Sequence, residues 1–113
     1  MSSPQDVIEC WLRHGPEAWF SRNEALDAEI EADYAGLHFK ASRCELSDWE
    51  ETPEGTLALL LLLDQFPRNL FRGSAHSYAT DSLARTTAHR ALAKGFDKRV
   101  EPVLRPFFYL PFE

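Results

Sequence analysis

Cysteine, glycine and positive charge are all in short supply in this chain. Its two cysteines, Cys10 and Cys44, stand far apart without a CxxC pattern, and His14, His38, His76 and His89 do not follow metal-finger spacing. Neither a disulfide scaffold nor a metal site is therefore expected, and both thiols are read as reduced, structural, small buried hydrophobes. The five glycines form no phosphate-cradling loop, and no nucleophile elbow or paired His-carboxylate motif occurs. Twelve Lys and Arg against 18 Asp and Glu leave a formal charge of −6, the opposite of a surface built to track nucleic-acid phosphates. The longest apolar run falls far short of the ~18 residues of a membrane span, and the first residues lack a basic segment followed by an apolar signal core. A cytoplasmic protein without a cofactor, nucleic-acid partner or membrane partner is expected.

What is present fits one globular domain over residues 1–113. A 44% apolar fraction with 12% aromatics is too hydrophobic for disorder, and a chain of 113 residues can bury roughly two thirds of its unfolded surface. The most informative stretch is Leu57 to Gly73, LALLLLLDQFPRNLFRG, in which seven apolar residues run into a polar knot of Asp64, Gln65, Arg68, Asn69 and Arg72. A helix apolar all round is a buried one, so a central pillar is predicted over about Pro53 to Phe66, opened by Thr52-Pro53-Glu54 and stopped by Pro67. Asp64 near its carboxyl end opposes the helix dipole and needs a cation, for which Arg68 and Arg72 are the candidates. Arg68 and Asn69 are also suited to donate to the last carbonyls of the pillar.

Helical periods account for the remainder. A first helix is predicted from about Pro4 to Arg13, capped by Ser3, with Val7, Ile8, Trp11 and Leu12 facing inward. His14-Gly15-Pro16 ends it, and Pro16 to Phe20 reads as a connector whose Trp19 and Phe20 plug a gap. Ser21 to Glu24 fits a capping box before a long second helix, whose stripe Leu26, Ile30, Tyr34, Leu37, Ala41 and Cys44 steps by three and four. Its acidic residues, Glu24, Asp27, Glu29, Glu31 and Asp33, read as a solvated, dipole-matched face. Ser47 to Glu50 repeats the capping-box pattern around Trp49. Arg68 to Ala79 reads as an irregular loop. Thr80-Asp81 opens a helix with a face of Ala84, Ala88 and Ala91, closed by Gly95. His38 and His89 fall within helices and His14 in a turn, as packed or solvated residues. The closing VLRPFFYLPF is kinked by Pro106 and Pro111. No strand emerges, and the prediction is an all-α antiparallel bundle of about five helices around a buried central one.

Several of these segments together, Glu17-Ala18-Trp19-Phe20, Leu46 to Trp49 before Thr52-Pro53, LLDQFPRN at Leu62 to Asn69, Phe71-Arg72-Gly73, Ala79-Thr80-Asp81 and Tyr109 to Glu113, resemble a mainly bacterial family, the domain-of-unknown-function family 924. The resemblance covers nearly the whole chain and implies a tetratricopeptide-like helical fold in a cytoplasmic bacterial protein. It lends no catalytic residues. Members of that family usually run longer, so the chain is expected to correspond to the N-terminal part of the family domain or to self-associate through its apolar C-terminal segment.

Two functions fit these residues. One is a helical binding or scaffold module with a groove lined by Trp19, Trp49, Phe107, Phe108 and Tyr109, its acidic surface favouring a basic or amphipathic partner. The other is an anionic small-molecule site, or an enzyme, at Asp64-Gln65-Phe66-Pro67-Arg68-Asn69. There Arg68 and Arg72 would clamp a carboxylate or phosphate, Asn69 would donate, and Asp64 or Asp81 would act as acid or base. A purely structural network requires the same parts.

Overall fold

The computed structural model describes residues 2–113, all of whose regular structure is helical. Helix α1 (Pro4–His14) starts where Ser3 and Asp6 satisfy each other's backbone amides, with Pro4 at the first position. It buries Val7, Ile8, Cys10 and Trp11, whereas Leu12 is half-buried. Gly15, at φ 79°, turns the chain, and its N–H returns to the Trp11 carbonyl. The predicted connector is itself a helical turn, α2 (Pro16–Trp19). Trp19 stacks on Trp11 at 5.4 Å between ring centroids and donates its indole N–H to the Trp11 carbonyl at 2.7 Å. Trp19 is thus a core residue, while Phe20 stays exposed against Phe107.

The long second helix is two helices, α3 (Glu24–Asp33) and α4 (Ala35–Ser42), meeting at Tyr34. Tyr34 is drawn toward α1 by its hydroxyl, which donates to the Asp6 carbonyl, and Gly36, a poor helix former, stands two residues on, in the first turn of α4. The stripe survives the break, with Leu26, Ile30, Tyr34, Leu37 and Ala41 all buried. Cys44 does not join it: the residue is exposed and sits at φ 61°. The predicted capping boxes are absent. Asn23 caps α3 by accepting from the Leu26 amide, while Ser21 and Ser47 donate instead to the carbonyls of Glu17 and Cys44. Ser47–Glu51 forms a 3₁₀ turn.

The pillar begins as predicted with α5 (Pro53–Leu60), whose first turn Thr52 caps. Leu57 to Leu63 are all buried, packed against α1 and α7. Pro67 does not stop the rod. Leu61–Gln65 widens into a π turn, and α6 (Phe66–Leu70) continues with Pro67 at its second residue. A proline needs no helical partner for a missing N–H near a helix start, and the wide turn makes a new start there. The segment expected as loop therefore begins only at Phe71, and Ala75–Tyr78 adds a 3₁₀ turn. Helix α7 (Asp81–Ala93) lays Ala84, Ala88 and Ala91 on the core and ends before Gly95, at φ 73°. Short turns and α8 (Pro106–Tyr109) close the chain, with Phe107 and Phe108 buried. Taken as rods, α1, α3–α4, α7 and α8 surround the pillar α5–α6, four around the central one where about five were expected. No helix among the described residues is long and apolar enough to cross a membrane.

Candidate functional site

The polar knot divides into two clusters. Asp64, 4% exposed, lies inside the π turn and accepts from Gln65 Nε2 at 2.8 Å. The helical spacing of four residues brings Arg68 to the same side, its Nη2 at 3.6 Å from Asp64 Oδ1. The tighter contacts of Arg68 lie elsewhere: Nη1 donates to Asp81 Oδ1 at 2.9 Å and to the Ser77 carbonyl at 2.7 Å. The guanidinium also covers the Tyr78 ring at 4.8 Å. Arg68 thereby ties α6 to the 3₁₀ turn and to the start of α7. Burial raises the Asp64 pKa above the usual carboxylate range against the opposing pull of Gln65 and Arg68.

Arg72 does not reach Asp64. It follows the end of α6, so its side chain leaves the pillar face and meets Asp27 of α3, Nη2 lying 3.2 Å from both carboxylate oxygens. Asn69 Nδ2 donates to the same Asp27 Oδ1 at 2.7 Å. Asp27 is accordingly a tertiary anchor and not part of a solvated face. Glu29 likewise is engaged, by Arg13 and His14.

The carbonyls at the end of the pillar take donors that the sequence reading did not assign. A backbone N–H at position 67 would donate to the Leu63 carbonyl in α spacing or the Leu62 carbonyl in π spacing, but Pro67 has none. His38 Nδ1–H donates to Leu62 at 2.8 Å and Thr80 Oγ1 to Leu63 at 2.6 Å. Arg68 and Asn69, expected in this role, are engaged elsewhere. The available signal was Pro67 itself, four residues beyond a buried carbonyl. His38 is fully buried beside the rings of Phe39, Phe71 and His76, and its Nε2 has no hydrogen-bond partner. Desolvation lowers its pKa, and with Nδ1–H committed to Leu62 the neutral ring presents a bare Nε2 lone pair.

This arrangement is a poor anion clamp. Both guanidiniums already meet carboxylates, and an incoming phosphate would have to displace Asp81 or Asp27. The expected aromatic groove also disperses: Trp19, Phe107 and Phe108 are core, Trp49 is half-buried against it, and Tyr109 donates its hydroxyl to Asp97.

A separate cleft of about 200 Å³ opens between α1, the first turns of α5 and the segment before α8. Its floor is Ile8, Leu12, Leu57, Val100 and Leu104, and its polar rim is Gln5, Glu54, Arg99 and Glu101.

The bacterial family of unknown function DUF924 matches residues 7–113. The solved structure of a protein of unknown function from Agrobacterium tumefaciens is 50% identical and superposes with a TM-score of 0.93 over 96% of this chain. The chain spans 62% of the length of that protein. No curated protein matches it. On its helical architecture and a family match that begins in α1 and runs to Glu113, this chain belongs to the DUF924 family of bacterial proteins of unknown function.

Proposed function

We propose that this protein is a helical binding module that takes a basic amphipathic protein segment in the cleft between α1, α5 and the segment before α8. The observation carrying this reading is the cleft itself: an apolar floor large enough for one or two aliphatic side chains, with Gln5, Glu54, Arg99 and Glu101 at its mouth. Grooves between helices accept the apolar face of a partner helix, and a charged rim selects the sign of the flanking residues. Glu54 and Glu101 outnumber the one basic rim residue, Arg99, and the chain as a whole carries −6, which favours a cationic partner.

A model peptide of Leu and Lys at helical spacing is the direct probe. The expected result is saturable binding to the wild type that weakens as salt rises and falls by about tenfold in Leu12→Gln, a half-buried position at the edge of the core whose variant is first checked for a native melt. Absence of binding, or binding indifferent to Leu12→Gln, overturns the assignment of this cleft.

A further inference from the structure

Outside both clusters and the cleft, three side chains with metal-ligand chemistry converge on one flank of α1. Cys10 and His14 are one helical turn apart on α1, which places them on the same face, and Glu29 of α3 faces them. Their ligand atoms, one sulfur, one imidazole nitrogen and one carboxylate oxygen, all lie within 4.8 Å of one another. The geometry points to a binding site for a zinc-class divalent ion formed by Cys10, His14 and Glu29.

Three features favour this occupant. The donor set mixes thiolate, imidazole and carboxylate, which suits a borderline ion such as Zn²⁺ and not Ca²⁺ or Mg²⁺, whose ligands are oxygens. Around a tetrahedral zinc, neighbouring ligand atoms stand roughly 3.3–3.7 Å apart, so closure requires relative shifts of at most about 1–1.5 Å between them. Charge also balances: two anionic ligands and a dication leave a neutral centre beside the core.

Access comes from the solvent side. Cys10 forms the buried floor, His14 and Glu29 are partly exposed, and Arg13, with 59% of its side chain exposed, covers the carboxylate. Arg13 Nη1 and Nη2 donate to the two Glu29 oxygens at 2.9 and 2.7 Å, and His14 Nε2 contacts Oε1 at 2.8 Å. On binding, Arg13 gives up Glu29 to the ion and turns to water. On the ion, His14 ligates through Nε2 and keeps its ring proton on Nδ1, and the thiol proton of Cys10 passes to solvent. A metal bound here would pin α1 to α3.

Cobalt(II) titration of the Cys44→Ser protein tests the site, because Cys10 is then the sole thiol. The expected result is one equivalent bound, with a near-ultraviolet thiolate-to-cobalt charge-transfer band and the intense visible bands of four-coordinate cobalt, both abolished by Zn²⁺. In the same background His14→Gln and Glu29→Gln, which leave the buried thiol in place, should each weaken binding by at least about tenfold. A cobalt titration without the thiolate band overturns the proposal. So does a band that neither substitution weakens.

Discussion

Thr80 Oγ1 donates to the carbonyl oxygen of Leu63 at 2.6 Å, across the gap between the start of α7 and the pillar. Thr80 immediately precedes a helix and its hydroxyl makes no capping bond there, because a buried carbonyl near Pro67 claims it instead. Thr80→Val keeps the shape and removes the donor. Loss of about 1–3 kcal/mol of stability is expected in urea unfolding, with Thr80→Ser recovering most of it. An unchanged Thr80→Val midpoint would mean that this carbonyl needs no side-chain donor.

The second prediction concerns Arg68. It stands between Asp64 and Asp81, so Arg68→Ala leaves two carboxylates without their cation. The guanidinium is about one-third exposed, which places the expected loss near 2–3 kcal/mol, between surface and fully buried pairs. Asp64→Asn alone should change stability by less than about 1 kcal/mol, since burial already disfavours the charge there. The cost of Arg68→Ala should then be smaller in the Asp64→Asn background, and a double-mutant cycle reads the difference. A thermal-shift comparison in phosphate separates the alternative: stabilisation of the wild type but not of Arg68→Ala would mark an anion site.

The rods of this fold were legible and their joints were not. Apolar periodicity identified α1, α7 and the stripe through Tyr34, because burial of a face leaves a regular trace in the sequence, and an unbroken apolar run identified the pillar, buried all round. Pro67 misled, since the rule that proline ends a helix assumes uninterrupted α spacing, and a π turn supplies a fresh first turn for α6. The Asp64–Arg68 pairing followed from a spacing of four residues. Asp27 with Asn69 and Arg72 did not, because those partners are more than 40 residues apart and meet only through tertiary packing. The same limit applies to Glu29, which on α3 alone reads as a solvated acid and in the fold faces Arg13, His14 and Cys10.

A third prediction follows from His38. Burial sets its folded-state pKa below the ordinary imidazole value of 6.5 against the opposing hydrogen bond to Leu62, with His76 alongside disfavouring the charge further. Below about pH 6.5 the unfolded chain takes up a proton that the folded chain refuses. The contribution of this residue to stability is therefore complete above that pH and is lost as pH falls toward the folded-state pKa, by at most about 1.4 kcal/mol per pH unit. His38→Asn retains a donor for the Leu62 carbonyl but cannot titrate. Unfolding midpoints recorded from pH 7.5 down to pH 5 should fall more steeply in the wild type, and parallel profiles would show that His38 is not protonated on unfolding.

Two glycines make the fourth prediction, because the same substitution should act with opposite signs. A Cβ at Gly55 would lie 2.0 Å from the Trp49 carbonyl oxygen and 2.9 Å from Thr52 Oγ1, so the first turn of α5 approaches the Ser47–Glu51 turn as only glycine permits. The obstructing atom is backbone and cannot rotate away, and the half-buried Trp49 must move with it. Gly55→Ala should cost about 2–3 kcal/mol and shift Trp49 emission toward that of a solvated indole. At Gly36, near the start of α4, an added Cβ meets nothing within 4 Å, and alanine there restricts the unfolded chain, for an expected gain of about 0.5–1 kcal/mol. Thermal melts of the two variants decide the matter: a loss at Gly36 as large as that at Gly55 would mean that general helix sensitivity, and not the Trp49 contact, governs the entrance to the pillar.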